Sequence, residues 1–189
     1  MAVVNGEAIT LTDLRIVRLF GLVEEEEEGS ELPLSICLER LIDQKLVIQL
    51  FPESQIIERE EMEAFEKKLK ERMGEERIEK MFKEFGLDWK GLREYVKERI
   101  LFKKLVSRKF SQTIPVSLIE IEEFYEKTYV PSQKEKSLEP RPMIEVIQEI
   151  ESLIRKDKMR KQIREWISNL RKRADIQMRM RDLETYPLS

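Results

Sequence analysis

A β-hairpin signal opens a chain otherwise written in helical periods, and nothing else constrains the fold as tightly. Residues 3–14, VVNGEAITLTDL, read as a strand, a turn at Asn5-Gly6, a second short strand and a helix start. Asn-Gly suits a type I′ turn, in which both central residues take positive φ. Thr10 and Thr12 are both N-cap candidates, with Asp13 in the first turn of a helix capped at either. An isolated hairpin is marginal in water and needs a partner. The other period-two stretch lies at the far end of the chain. There Ile176, Met178 and Met180 alternate with Asp175, Gln177 and Arg179 within Ala174 to Met180. Pairing the two satisfies both. The predicted fold class is therefore mainly α, with a small antiparallel sheet joining the N-terminal hairpin to the C-terminal strand and one core closed from both termini.

Between these ends the chain is helical. Leu11 to Val23 reads as a short helix, followed by an acidic loop, Glu24 to Gly29. Pro33 opens a strongly apolar helix as its N1 residue. Leu34, Cys37, Leu38, Leu41, Ile42, Leu46 and Leu50 cover a wide arc, leaving Glu39, Arg40, Asp43 and Gln44 for water. Such a helix belongs at the centre of a core. Two thin stripes follow: Met62, Phe65, Leu69 and Met73, then Ile78, Met81, Phe82 and Phe85, broken by Gly74 and Gly86. Narrow apolar seams with charged backs predict a helical hairpin, an arm at about 58–86, standing away from the main core. Asp88 caps a helix reaching about Phe110, with Leu92, Tyr95, Val96, Phe102, Leu105 and Val106 inward. Ser117 and Glu120 form a capping box for Leu118 to Tyr129. Residues 131–142, PSQKEKSLEPRP, read as a linker. Met143 to Arg171 then predicts one long helix with Ile144, Ile147, Ile150, Ile154, Ile163, Trp166, Ile167 and Leu170 on one side. The expected organisation is a single core, 1–130 with 143–181, interrupted by that linker.

Composition narrows the chemistry. The 189 residues carry 35 Lys and Arg against 38 Asp and Glu, a net charge of −3, so the chain is not a polyanion binder overall. It contains no histidine, the commonest general base and metal ligand. The one cysteine, Cys37, precludes an intrachain disulfide and sits in an apolar run as a buried thiol. No run is long and apolar enough to span a bilayer. Glu24 to Glu28 could hold a hard cation, but an acidic loop explains it with nothing to fix an oxygen cage. The basic stretch Arg155, Lys156, Lys158, Arg160, Lys161, Arg164, Arg171, Lys172 and Arg173 is the strongest nucleic-acid candidate. Interrupted by Asp157 and Glu165, it reads as the solvent face of a long helix, with no nucleic-acid partner expected. No phosphate-binding glycine loop is present. No catalytic residue, metal site or cofactor is predicted.

Five segments in order, VNGEAIT, LERLIDQKLVIQ, GLDWKGLREYVKERILFKKL, VSLIEIEEFYEK and KQIREWISNLRKRADIQM, together resemble the SurA/PrsA-type periplasmic folding factors over Val3 to Met180. The resemblance implies a helical chaperone core whose C-terminal helix and strand fold back on the N-terminal segments. Most members carry parvulin-type prolyl isomerase domains where this chain has only residues 131–142. Parvulin domains commonly use paired histidines, absent here. The implied protein is thus a chaperone core without an isomerase, and not an enzyme. Its implied location is periplasmic or otherwise exported, although no signal peptide is read in the chain and a cytoplasmic location stays open.

The Met and aromatic stripes support two readings: packing inside the hairpin, or a lining for unfolded chains, since Met re-packs against many sequences and aromatic rings add apolar area. On the second reading the client-binding residues are Met62, Phe65, Leu69, Met73, Met81, Phe82, Phe85 and Trp89. The expected function is ATP-independent binding of unfolded or extended polypeptides of exported, outer-membrane proteins. A helical adaptor or dimerisation protein is the alternative, and a prolyl isomerase a third. Exchange of the C-terminal helix would make a homodimer by domain swapping.

Overall fold

The computed structural model describes residues 1–23, 32–52, 57–111 and 114–179. It is mainly helical with a three-stranded antiparallel sheet. Strands β1 (Ala2–Val4) and β2 (Glu7–Ile9) form the hairpin, and β3 (Ile176–Met178) pairs on the other side of β1. The order is β2-β1-β3, so the two ends of the chain meet as expected. Asn5 and Gly6 take φ of 47° and 89°, the left-handed geometry that the turn requires. Asn5 also fastens the sheet. Its N–H donates to the Asp175 carbonyl at 2.8 Å, and its Oδ1 accepts the Asp175 N–H at 2.9 Å.

The chain divides into two compact units, Met1–Arg108 with Ile167–Ser189, and Lys109–Trp166. This replaces the expected single core, and each unit has a buried cluster of its own.

In the first unit, α1 (Leu11–Leu19) is capped by Thr10, not Thr12. Thr10 Oγ1 accepts the Asp13 N–H while Asp13 Oδ2 accepts the Thr10 N–H at 2.7 Å. The acidic segment Glu24 to Gly29 lies outside the described residues. Helix α2 (Leu34–Gln49) starts one residue later than expected, with Pro33 at the N-cap position and not at N1. It is central, burying Leu34, Cys37, Leu38, Leu41, Ile42, Leu46 and Val47. Its polar strip is not left wholly to water. Gln44 is buried, and Asp43 accepts Arg171 Nε at 2.5 Å.

Helices α3 (Arg59–Met73) and α4 (Glu75–Phe85) form the hairpin, turning at Gly74, whose φ is 79°. They do not stand away from the core: Leu69, Ile78 and Met81 belong to the same buried cluster as Phe20, Leu41 and Val96. A stripe too thin to enclose its own core gains more by docking on a larger one. Arg72 secures the dock by donating to the Phe20 carbonyl at 2.8 Å, close over Gly21. A side chain at Gly21 would collide with that guanidinium. Helix α5 (Trp89–Lys109) begins after Asp88, whose Oδ1 caps the Gly91 N–H at 2.7 Å. It buries Leu92, Val96, Leu101 and Leu105, with Phe102 and Val106 only partly covered.

In the second unit, α6 (Leu118–Phe124) carries the expected Ser117–Glu120 capping box. It runs through a π-helical turn, Tyr125–Tyr129, into α7 (Val130–Glu135). The predicted linker is therefore helical over its first residues. Pro131 lacks an N–H to bond back along a helix, and the wider turn before it absorbs the loss. Tyr125 donates to the Arg141 carbonyl at 2.9 Å, which folds the rest of the segment back. Helix α8 (Met143–Arg171) follows, burying Val146 and Ile150 against Ile121 and Tyr129. Ile144, expected inward, is 77% exposed.

Candidate functional site

The predicted client-binding residues fall on three neighbouring helices of the first unit and pack on one core. Leu69 and Met81 are buried, at 3% and 8% exposure, so they hold the hairpin down and do not line an open surface. That corrects their predicted role. The other six, Met62, Phe65, Met73, Phe82, Phe85 and Trp89, pack against the core with one side and remain partly exposed on the other. Phe82 links the surface to the interior. Its ring lies 6.1 Å from that of fully buried Phe20 and meets Trp89 edge-on at 5.2 Å.

Charge frames this seam. Lys70 Nζ stands 5.3 Å from the Trp89 ring centre and pairs with Glu75 at 2.7 Å. Glu75 raises the pKa of Lys70 and has its own lowered in return. Arg93 pairs with Glu66 at 2.5 Å and Lys104 with Glu61, tying α5 to α3 beside the stripe. The partly exposed apolar side chains of these helices are therefore flanked by ion pairs.

A second concavity lies along β2, between the sheet and helices α2 and α5. Two adjoining pockets of about 230 and 170 Å³ share Lys45, Glu94 and Glu98. Lys45 bridges Glu7 at 3.1 Å and Glu98 at 3.2 Å. Burial works against its charge, but the two carboxylates more than offset this and its pKa is raised. Tyr95 donates to Asp13 Oδ1 at 2.6 Å. Burial, and then the Asp13 carboxylate, push the Tyr95 phenol up, so it stays a donor at neutral pH. The predictive signal missed at this place was Tyr95, read only as an inward-facing ring.

The second unit exposes large apolar side chains, including Ile119 at 68%, which the helical periods did not single out, and Ile144 at 77%, which they placed inward. Its basic stretch is partly spent on local bonds. Arg155 pairs with Glu151 and donates to the Ile114 carbonyl, Lys158 pairs with Glu120, and Lys161 pairs with Asp157 at 2.9 Å. Among the described residues, no helix is long and apolar enough to cross a membrane. Nor do any three of their His, Cys, Asp or Glu side chains group to hold a metal ion.

Compared with protein-family models, curated proteins and solved structures, the chain matches none.

Proposed function

We propose that the protein is an ATP-independent chaperone that binds unfolded or extended segments of other polypeptides along the seam of α3, α4 and the start of α5. The observation that carries this reading is the partial exposure of Met62, Phe65, Met73, Phe82, Phe85 and Trp89, anchored from beneath by Leu69, Ile78 and Met81. The seam keeps some adaptable Met and aromatic surface in water, where many apolar sequences can pack on it. Binding the unfolded form alone holds clients soluble by mass action, with no covalent step, nucleotide or metal. The resemblance to SurA/PrsA-type factors supports exported clients, including outer-membrane proteins, and a periplasmic location. It also supports a non-enzymatic core lacking the isomerase domain.

The test is light scattering of a chemically denatured β-barrel outer-membrane protein diluted into buffer. Stoichiometric protein should suppress scattering, and the double variant Phe85→Ser/Met62→Ser should lose most of that effect while keeping its far-UV spectrum. Unchanged aggregation with the parent protein would overturn the reading and leave the seam as a fixed adaptor interface. Catalysed isomerisation of a proline-containing peptide would contradict the non-enzymatic assignment.

A further inference from the structure

Strand β2 is an edge, and its outward-facing backbone can be located from the sheet's own bonds. Asn5 donates to Asp175, and Arg179 donates to the Met1 carbonyl, so the odd-numbered residues of β1 bond toward β3. Its even residues, Ala2 and Val4, therefore bond toward β2, opposite Ile9 and Glu7. Ala8 stands opposite Val3 in a pair without ladder bonds. Its N–H and C=O consequently point away from β1, toward the free edge. That edge opens on the 230 Å³ pocket, lined by Ala8 itself.

The pocket's charge is selective. Asp13, Glu94 and Glu98 surround it against one cation, Lys45, which is already divided between Glu98 and Glu7. Glu94 is exposed and has no ion pair among the described residues. Leu41 and Ile9 supply apolar walls for an aliphatic stem. A Lys or Arg side chain meets both demands, with an apolar stem and a cationic head.

We infer that β2 accepts an extended peptide as an added antiparallel strand, pairing with Ala8 and placing a Lys or Arg side chain in the pocket beside Glu94. Edge addition of this kind takes affinity from backbone bonds and selectivity from a side-chain pocket. The site shares no residue with the α3–α4 seam and goes beyond the proposed chaperone activity. It is measured on the folded protein with no aggregating client.

The probe is a fluorescein-labelled peptide of sequence Thr-Val-Lys-Val-Thr, blocked at both ends and titrated with the full chain by polarisation. Saturable binding is expected. Replacing the peptide Lys by Glu should weaken it about tenfold, and Glu94→Lys should weaken it about fivefold, both effects shrinking in high salt. Ala8→Pro should abolish binding. Its N–H faces outward, so proline removes no ladder bond there. Ala8→Gly should bind as the parent does. Hydrogen exchange at the Ala8 amide, slowed by saturating peptide, tests the pairing even if the proline variant misfolds. No saturable binding, equal binding of the Lys and Glu peptides, or an Ala8 amide that exchanges equally with and without peptide would each overturn the inference.

Discussion

Glu120 serves two partners with one carboxylate. Its side chain pairs with Lys158 at 2.5 Å and accepts the Ser117 N–H at 2.9 Å. Lys158 first, and then the Ser117 N–H and hydroxyl, hold its pKa down at about 2, against an ordinary 4.5. A carboxylate with a depressed folded pKa stabilises fully above its unfolded value, and the contribution drains away as pH falls through the folded one. Glu120→Gln should therefore lower the melting temperature at pH 7, with the gap to the parent closing between about pH 4.5 and pH 2. A gap that stayed constant across that range would show that the charge is not what matters. Arg171 has a comparable role in the first unit, where it forks between Glu39 and Asp43 and also donates to the Glu39 carbonyl at 2.9 Å. Arg171→Ala strands the partly buried Asp43 and should cost about 1–3 kcal/mol in a urea titration. Arg171→Lys should recover only part of this, because one ammonium cannot reproduce the fork.

Elements whose instructions are local were legible, and those defined by distant partners were not. The Asn5-Gly6 hairpin and the Ser117–Glu120 capping box each depend on a few adjacent residues, and both form as read. The strand at the chain's end was legible from its alternation, although Met178, expected inward, is 42% exposed in this short edge strand. The docking of α3 and α4 could not be read, because a thin stripe looks the same whether it meets its hairpin partner or a larger core. Two of the predicted site residues, Leu69 and Met81, were misplaced for that reason. On α8 the error was confined to the first turn, since Ile150 and Ile167 are buried as expected. Isoleucines at several angles around a long helix define no single face, and Val146 took the buried position expected of Ile144. Paired variants test both corrections. Ile78→Ala, on the docked hairpin, should cost about 2–4 kcal/mol. A loss below about 0.5 kcal/mol, typical of a surface site, would mean the hairpin stands free after all. Val146→Ala should lower the melting temperature clearly, while Ile144→Ala should leave it nearly unchanged.

At the scale of the whole molecule, closure by both termini joins residues about as far apart in sequence as this chain permits. Val4 pairs with Ile176 and Ala2 with Met178. Contacts of that separation are the slowest to form, because the intervening chain must be confined before they stabilise anything. The long-range clasp lies in one unit only. Ile176 packs on the first cluster, whereas the second cluster is drawn from residues between Val116 and Ile154. The two tryptophans report on the units separately: Trp89 packs on the first cluster, and Trp166 meets the Phe110 ring edge-on at 5.6 Å in the second unit. Single-tryptophan backgrounds, Trp166→Phe and Trp89→Phe, therefore isolate the two unfolding transitions. Ile176→Asp places a charge where an apolar side chain packs, and should lower the Trp89 midpoint in a urea titration by several tenths of the parent value. The Trp166 midpoint should stay within error of its own parent background, since Ile176 packs on the first cluster and is not a member of the second. If both midpoints fall together, the units are one cooperative structure and the clasp stabilises the entire chain.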